Sequence, residues 1–263
     1  MINAALLLAL GCLVFGALVM LALYVHQRAT NNATAVDVGW AALLGVFTLV
    51  YAIGGEGDWM RRILLVATAG LWSFRLAGHL LIFRVLRETE EDGRYQTLRK
   101  HWGDSAQFQF FFFFQTQAIA AVVLSLPFLV VAFNDTPFPS IGDILGLLTA
   151  LIAVCGEGLA DYQLAQFKHD PANKGKTCRQ GLWRYSRHPN YFFEWLFWWS
   201  FVFMSLSSPY WAITLLGPVI MLILLFKVTG IPYTEMQAIS KRGDDYRRYQ
   251  ETTSAFFPWF PKE

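Results

Sequence analysis

The stretch NAALLLALGCLVFGALVMLALY, Asn3 to Tyr24, decides the fold. It contains no charged side chain, and as a helix it is about 33 Å long, enough to cross a hydrocarbon core of about 30 Å. It lacks a basic leading region and is long for the apolar part of a signal peptide, so it is read as a retained first span. Five similar runs follow at 35–53, 60–83, 106–133, 140–167 and 190–207, and a seventh at 209–228. In lipid every backbone N–H and C=O must bond within its own segment or a closed barrel. The expectation is therefore an all-α polytopic membrane protein with about seven spans. No Gly/Ser-rich linker, charged block or repeat divides the chain, so one membrane domain over 1–263 is expected.

Composition agrees with this reading. The 263 residues are 55% hydrophobic and 16% aromatic, with only 15% charged, against about 25% in soluble domains. Mean hydropathy is +0.38. A net charge of +2 is too small for a nucleic-acid-binding surface. Cys12, Cys155 and Cys178 have no metal or redox spacing. Absent too are a P-loop, a Gly-x-Gly-x-x-Gly after a strand, and paired histidines of the membrane di-iron type.

Lys and Arg set the expected orientation. With the N-terminus outside, the cytosolic loops hold Arg28; Arg84, Arg87, Arg94, Arg99 and Lys100; then Lys168, Lys174, Lys176, Arg179, Arg184 and Arg187. The tail, 229–263, adds five more, and only Arg61 and Arg62 fall outside. Six ionisable side chains then lie within apolar segments: Asp37, Arg75, His79, Glu157, Asp161 and Glu194. A charge in hydrocarbon costs about 3 kcal/mol on insertion scales, so such residues face protein or a watery cavity. This threading puts all six in the inner leaflet, which predicts a polar cavity ringed by basic loops.

Glu157, Asp161 and Lys168, at i, i+4 and i+11, share one helical face. Two carboxylates a turn apart repel, so they want a cation, a basic structural partner or a ligand's donors between them. The densest chemistry is GLWRYSRHPNY, Gly181 to Tyr191, followed by Glu194. Gly181 and Pro189 break the chain there, Arg184 and Arg187 can fork onto phosphate, and the start of the sixth span offers free N–H groups. Asn190 suits an amide, and Tyr191 offers a stacking face. The tail carries Glu235, Arg242, Tyr246 and Tyr249, then Thr253, Ser254, Phe256, Phe257, Pro258 and Trp259. It reads as one amphipathic helix and an interface-docked aromatic segment, either an anchor or a lid.

Gly181–Glu194 together with the Tyr246–Pro258 tail resembles the membrane superfamily of steroid 5α-reductases, sterol reductases and isoprenylcysteine carboxyl methyltransferases, most nearly the bacterial steroid 5α-reductase branch. The resemblance implies an NADPH-dependent reductase of a conjugated C=C bond in a steroid-like lipid that enters from the bilayer of a bacterial inner membrane. It implies that Asn190 and Glu194 hold the nicotinamide end. Glu157, Asp161, Lys168 and Lys176 join the cofactor set, with Arg184, Arg187, His188, Tyr191, Glu235, Arg242, Tyr246 and Tyr249. Animal relatives present a Gln-Glu pair on span 2 and a Tyr on span 3. Here Asp37 is the nearest acid and Trp72 stands near that Tyr position, so Asp37, with Arg75 or His79 in reserve, is expected to meet the developing enolate oxygen. The alternatives are an S-adenosylmethionine-dependent methyltransferase of the isoprenylcysteine type and a lipid-binding membrane protein without chemistry.

Overall fold

The computed structural model describes residues 2–88, 90–228 and 230–262. Among them it is all-helical, with no strand. Six helical runs among the described residues are long and apolar enough to cross a membrane: Ile2–Thr30, Ala35–Gly54, Trp59–Leu86, Gly93–Ala132, Ile141–His169 and Trp211–Arg242. Pro189–Ser205, where another span is expected, has 17 residues, the lower edge of the usual range of about 17–25.

We number the helices α1 Ile2–Thr30, α2 Ala35–Gly54, α3 Trp59–Leu86, α4 Gly93–Trp102, α5 Ala106–Ala132, α6 Ile141–His169, α7 Pro189–Ser205 and α8 Leu216–Ile223. Two short helices follow, α9 Ile231–Arg242 and α10 Asp244–Thr252. Wider π turns interrupt α3 at Val66–Gly70 and Leu81–Leu86, and another, Leu224–Val228, extends α8. The tail thus differs from the single helix expected. Gly243 breaks it at φ +54°, a left-handed conformation that glycine adopts without steric cost.

The chain divides into two compact units, Met1–Asp143 with Ser205–Leu216, and Ile144–Met204 with Gly217–Glu263. In the first unit α1 packs on α5 and α2, and α2 packs on the middle of α3. On α5 the run of five phenylalanines, Phe110 to Phe114, divides by face: Phe110 and Phe114 are buried, Phe112 is half exposed. Two glutamines in the first half of α5, Gln107 and Gln115, find partners on α1. Gln27 Nε2 donates to Gln107 Oε1 at 2.8 Å, and Gln115 reaches the Ala17 carbonyl at 3.5 Å. In the second unit, a Cβ on Gly156 would lie 2.4 Å from the Phe193 ring. Only glycine lets α6 and α7 approach that closely.

Candidate functional site

The loop before α7 is built by its own sequence. Gly181 sits at φ +57°, and a Cβ there would lie 2.4 Å from Gln163 Oε1. That oxygen accepts the Leu182 N–H at 2.8 Å, and Trp183 Nε1 donates to the Ala160 carbonyl at 2.8 Å, so α6 holds the turn from two points. Ser186 Oγ accepts the His188 N–H at 3.1 Å and donates to the Phe256 carbonyl at 2.8 Å. Pro189 then starts α7 where its missing N–H costs nothing. Asn190 Nδ2 donates to Asp161 Oδ1 at 3.1 Å, so two of the expected cofactor residues meet. Tyr191 lies parallel to His188, 5.3 Å between ring centres, and its hydroxyl bonds Thr234 at 3.2 Å.

Glu235 is the hub behind this loop. Its Oε1 accepts from Arg187 Nε at 2.7 Å, His188 Nε2 at 3.2 Å and Tyr246 at 3.4 Å, and its Oε2 accepts from Gln250 at 2.7 Å. Burial by itself would raise the Glu235 pKa; the bonds from His188, Arg187 and Gln250 outweigh it and hold the carboxyl at about 2. The same charge, after burial, pushes the Tyr246 phenol above its ordinary range. Arg187 also donates through Nη1 to the Gln250 and Thr253 carbonyls, each at 2.8 Å. Nε and Nη1 of the guanidinium expected on phosphate are thus turned inward, onto the tail. Tyr249 adds bonds to the Trp183 and Ser186 carbonyls.

These pieces wall a cleft within the second unit. Its inner compartment, about 170 Å³, lies among Trp183, His188, Asn190, Tyr191, Tyr246 and Tyr249. The adjoining outer compartment, about 530 Å³, is bordered by Lys168, Lys174, Lys176, Lys241 and Arg242, with no carboxylate in its wall among the described residues. Lys168 and Arg242 border both. Arg242 Nε is buried without a hydrogen bond among the described residues, while its guanidinium lies 5.0 Å from the Tyr246 ring centre. Arg184 is exposed on the short turn Gly181–Arg184. Beside the cleft, Asp245 accepts the Thr177 N–H at 2.7 Å and bonds Arg179 at 3.0 Å. Those bonds, with the nearby cations, overcome burial and lower its pKa. Glu157 on α6 and Glu194 on α7 are half-buried.

The other three expected residues belong to the first unit. Asp37, in the first turn of α2, accepts from Arg94 Nη2 at 2.6 Å and Tyr95 Oη at 2.7 Å, with Arg84 at 3.7 Å. These bonds make Asp37 an acceptor that ties α4 to α2, whereas the sequence expects it to meet the substrate's developing oxygen. Arg75 and His79 are exposed on α3, and the His79 ring lies 4.7 Å from that of Phe83. Sequence reasoning did not single out Tyr95, Gln163 or Gln250. Each is an ordinary polar residue until a distant partner reaches it.

A family model described as "Protein of unknown function (DUF1295)" matches residues 23–253. No curated protein and no solved structure matches the chain. The matched segment runs from the end of α1 to the close of α10 and so includes the whole Gly181–Glu194 loop and the Glu235 hub; the chain belongs to the DUF1295 family, within the steroid 5α-reductase-like superfamily.

Proposed function

We propose that the protein is an NADPH-dependent reductase of a conjugated C=C bond in a steroid-like 3-oxo-Δ4 lipid, with the cofactor in the cleft of the second unit. The observation that carries this reading is the outer compartment, walled by five cations and no carboxylate. Its volume lies in the usual range for ligand pockets, about 300–1,000 Å³. S-adenosylmethionine carries a sulfonium, an ammonium and a single carboxylate but no phosphate, so such a wall meets one anionic group and two like charges. NADPH carries three phosphate groups, the natural partners of Lys and Arg. The unbonded Arg242 Nε fits an anionic acceptor. Asn190, fixed by Asp161, still has one amide hydrogen for a carboxamide.

When bound, the cofactor supplies a hydride to the β-carbon of the enone. Lys168, Lys176 and Arg242 hold phosphate, while Asn190, Glu194 and Tyr191 orient the nicotinamide end. Negative charge then develops on the substrate's carbonyl oxygen, where one positioned donor is worth about 3 kcal/mol in a dry site. Asp37 already accepts from its neighbours, so that role passes first to Arg75 or His79.

Binding to the purified chain tests the cofactor. NADPH should bind and S-adenosylmethionine should not. Lys168→Ala should weaken NADPH about tenfold, as expected for a lost bond to a charged group, and NADH less. Binding of S-adenosylmethionine alone would replace the reductase with a methyltransferase; binding of neither would favour a lipid-binding protein.

A second test separates anchor from acid. Asp37→Asn should lower the melting temperature, because it weakens the tie to Arg94 and Tyr95. Arg75→Gln or His79→Ala should instead lower turnover of a 3-oxo-Δ4 steroid at least tenfold, about 1.4 kcal/mol, with NADPH affinity kept. If Asp37→Asn keeps its stability and NADPH affinity while turnover falls tenfold, Asp37 is the donor after all.

A further inference from the structure

The aromatic end of the chain is held at a fixed level on the second unit. The Arg187 N–H donates to the Ser254 carbonyl and the Trp259 N–H to the Tyr185 carbonyl, at 2.8 and 2.9 Å. Between these pins Phe256 is 2% exposed, packed with Leu225, Phe226, Phe192 and Trp195. Phe257 lies edge-on to Phe192 and Trp195, at 6.1 and 5.6 Å. Trp195 is about 9 Å along α7 from Pro189. The segment therefore sits beside the first two turns of α7 and the last turn of α8's π extension.

Its outward face is apolar: Phe257 is 53% exposed, Trp259 72% and Phe260 76%. Three large exposed rings on adjoining residues are unusual against water, but normal in the band where headgroups meet acyl chains. Arg184 and Lys262 are exposed on the loop and tail segments that Trp259 joins, and cations there attract anionic headgroups. We infer that Phe257, Trp259 and Phe260 insert into the headgroup–acyl boundary of the bilayer beside α7, so that phospholipid completes the outer wall of the tail. The same rings are joined through Phe256 and Ser254 to Arg187, so lipid contact steadies the loop that lines the cleft. This inference does not rest on the reductase reading.

The test uses the full chain in nanodiscs of phosphatidylethanolamine and phosphatidylglycerol, with a benzophenone amino acid at 257, 260 or, as control, at exposed Arg248 on α10. Irradiation should give protein–phospholipid adducts at 257 and 260 in several times the yield at 248. Equal lipid yields at the three sites, or a dimer-sized adduct at 257 or 260, would overturn the inference. Trp259→Phe, a mild change, gives an independent reading: brominated phospholipid should quench less fluorescence in it than in the parent chain. Unchanged quenching would also sink the proposal.

Discussion

Glu235→Ala should cost about 3–5 kcal/mol, the usual penalty for removing one partner of a buried ion pair. The Arg187 and Glu235 side chains are only 11% and 13% exposed, so water cannot replace the lost carboxylate. Arg187 would stay fixed by two tail carbonyls with its charge unmatched, while His188, Tyr246 and Gln250 would all lose an acceptor. Thermal unfolding in detergent and limited proteolysis after α9 measure this, and the tail should become the first cleavage site. A variant as stable and protease-resistant as the parent would show that the hub contributes nothing to docking the tail. Glu235→Gln should cost less, since it keeps the shape and one acceptor oxygen.

The same hub sets an acid limit. Its folded pKa of about 2 lies below the ordinary 4.5, so its contribution is complete above the ordinary value and fades as pH falls toward 2. Parent stability should therefore drop more steeply than that of Glu235→Gln on acidification from pH 5 to pH 3. Parallel curves would remove Glu235 from the acid response.

Arg61→Ala should be as damaging to the first unit. Arg61 and Asp143 are 0% and 1% exposed and form a two-pronged fork, both bonds at 2.7 Å. Arg61 Nη1 also donates to the carbonyls of Asn134 and Thr136, while Ser140 donates twice to Asp143. Truncation leaves the Asp143 carboxylate buried without its cation and takes a donor from the Asn134 and Thr136 carbonyls, again about 3–5 kcal/mol. Arg61→Lys should recover little, because an ammonium cannot reproduce a planar fork plus two further bonds. The check is the unfolding temperature of both single variants and of Arg61→Leu/Asp143→Leu. The double variant should be more stable than either truncation, since it strands no charge. If Arg61→Ala unfolds like the parent chain, the pair is dispensable.

Both networks show where sequence reading stops. Arg61 reads as one of two basic residues in an outside loop, and its partner lies 82 positions away. Arg187 reads as a phosphate ligand because Arg184, Arg187 and a helix start lie together, yet its Nε is taken by Glu235, 48 positions on. The sequence contained both partners. Neighbouring cations such as Arg184 and Arg179 suited Glu235 equally well on chemistry alone.

What the sequence determined by itself was what depends on adjacent residues. Transfer of each side chain between water and lipid sums along a segment, so Ala35–Gly54, Ala106–Ala132, Ile141–His169 and Pro189–Ser205 begin and end close to where hydropathy puts them. Gly181 and Pro189 likewise act on their own backbone, and the loop before α7 forms where they stand. Tertiary structure alone decided which charge meets which, that Asp37 serves Arg94 and Tyr95, and that Phe256 is buried between α7 and α8's extension. The reason is that hydropathy is local and additive. An ion pair or a buried ring is instead chosen among many chemically equal partners by which one the packed helices bring within about 3 to 4 Å.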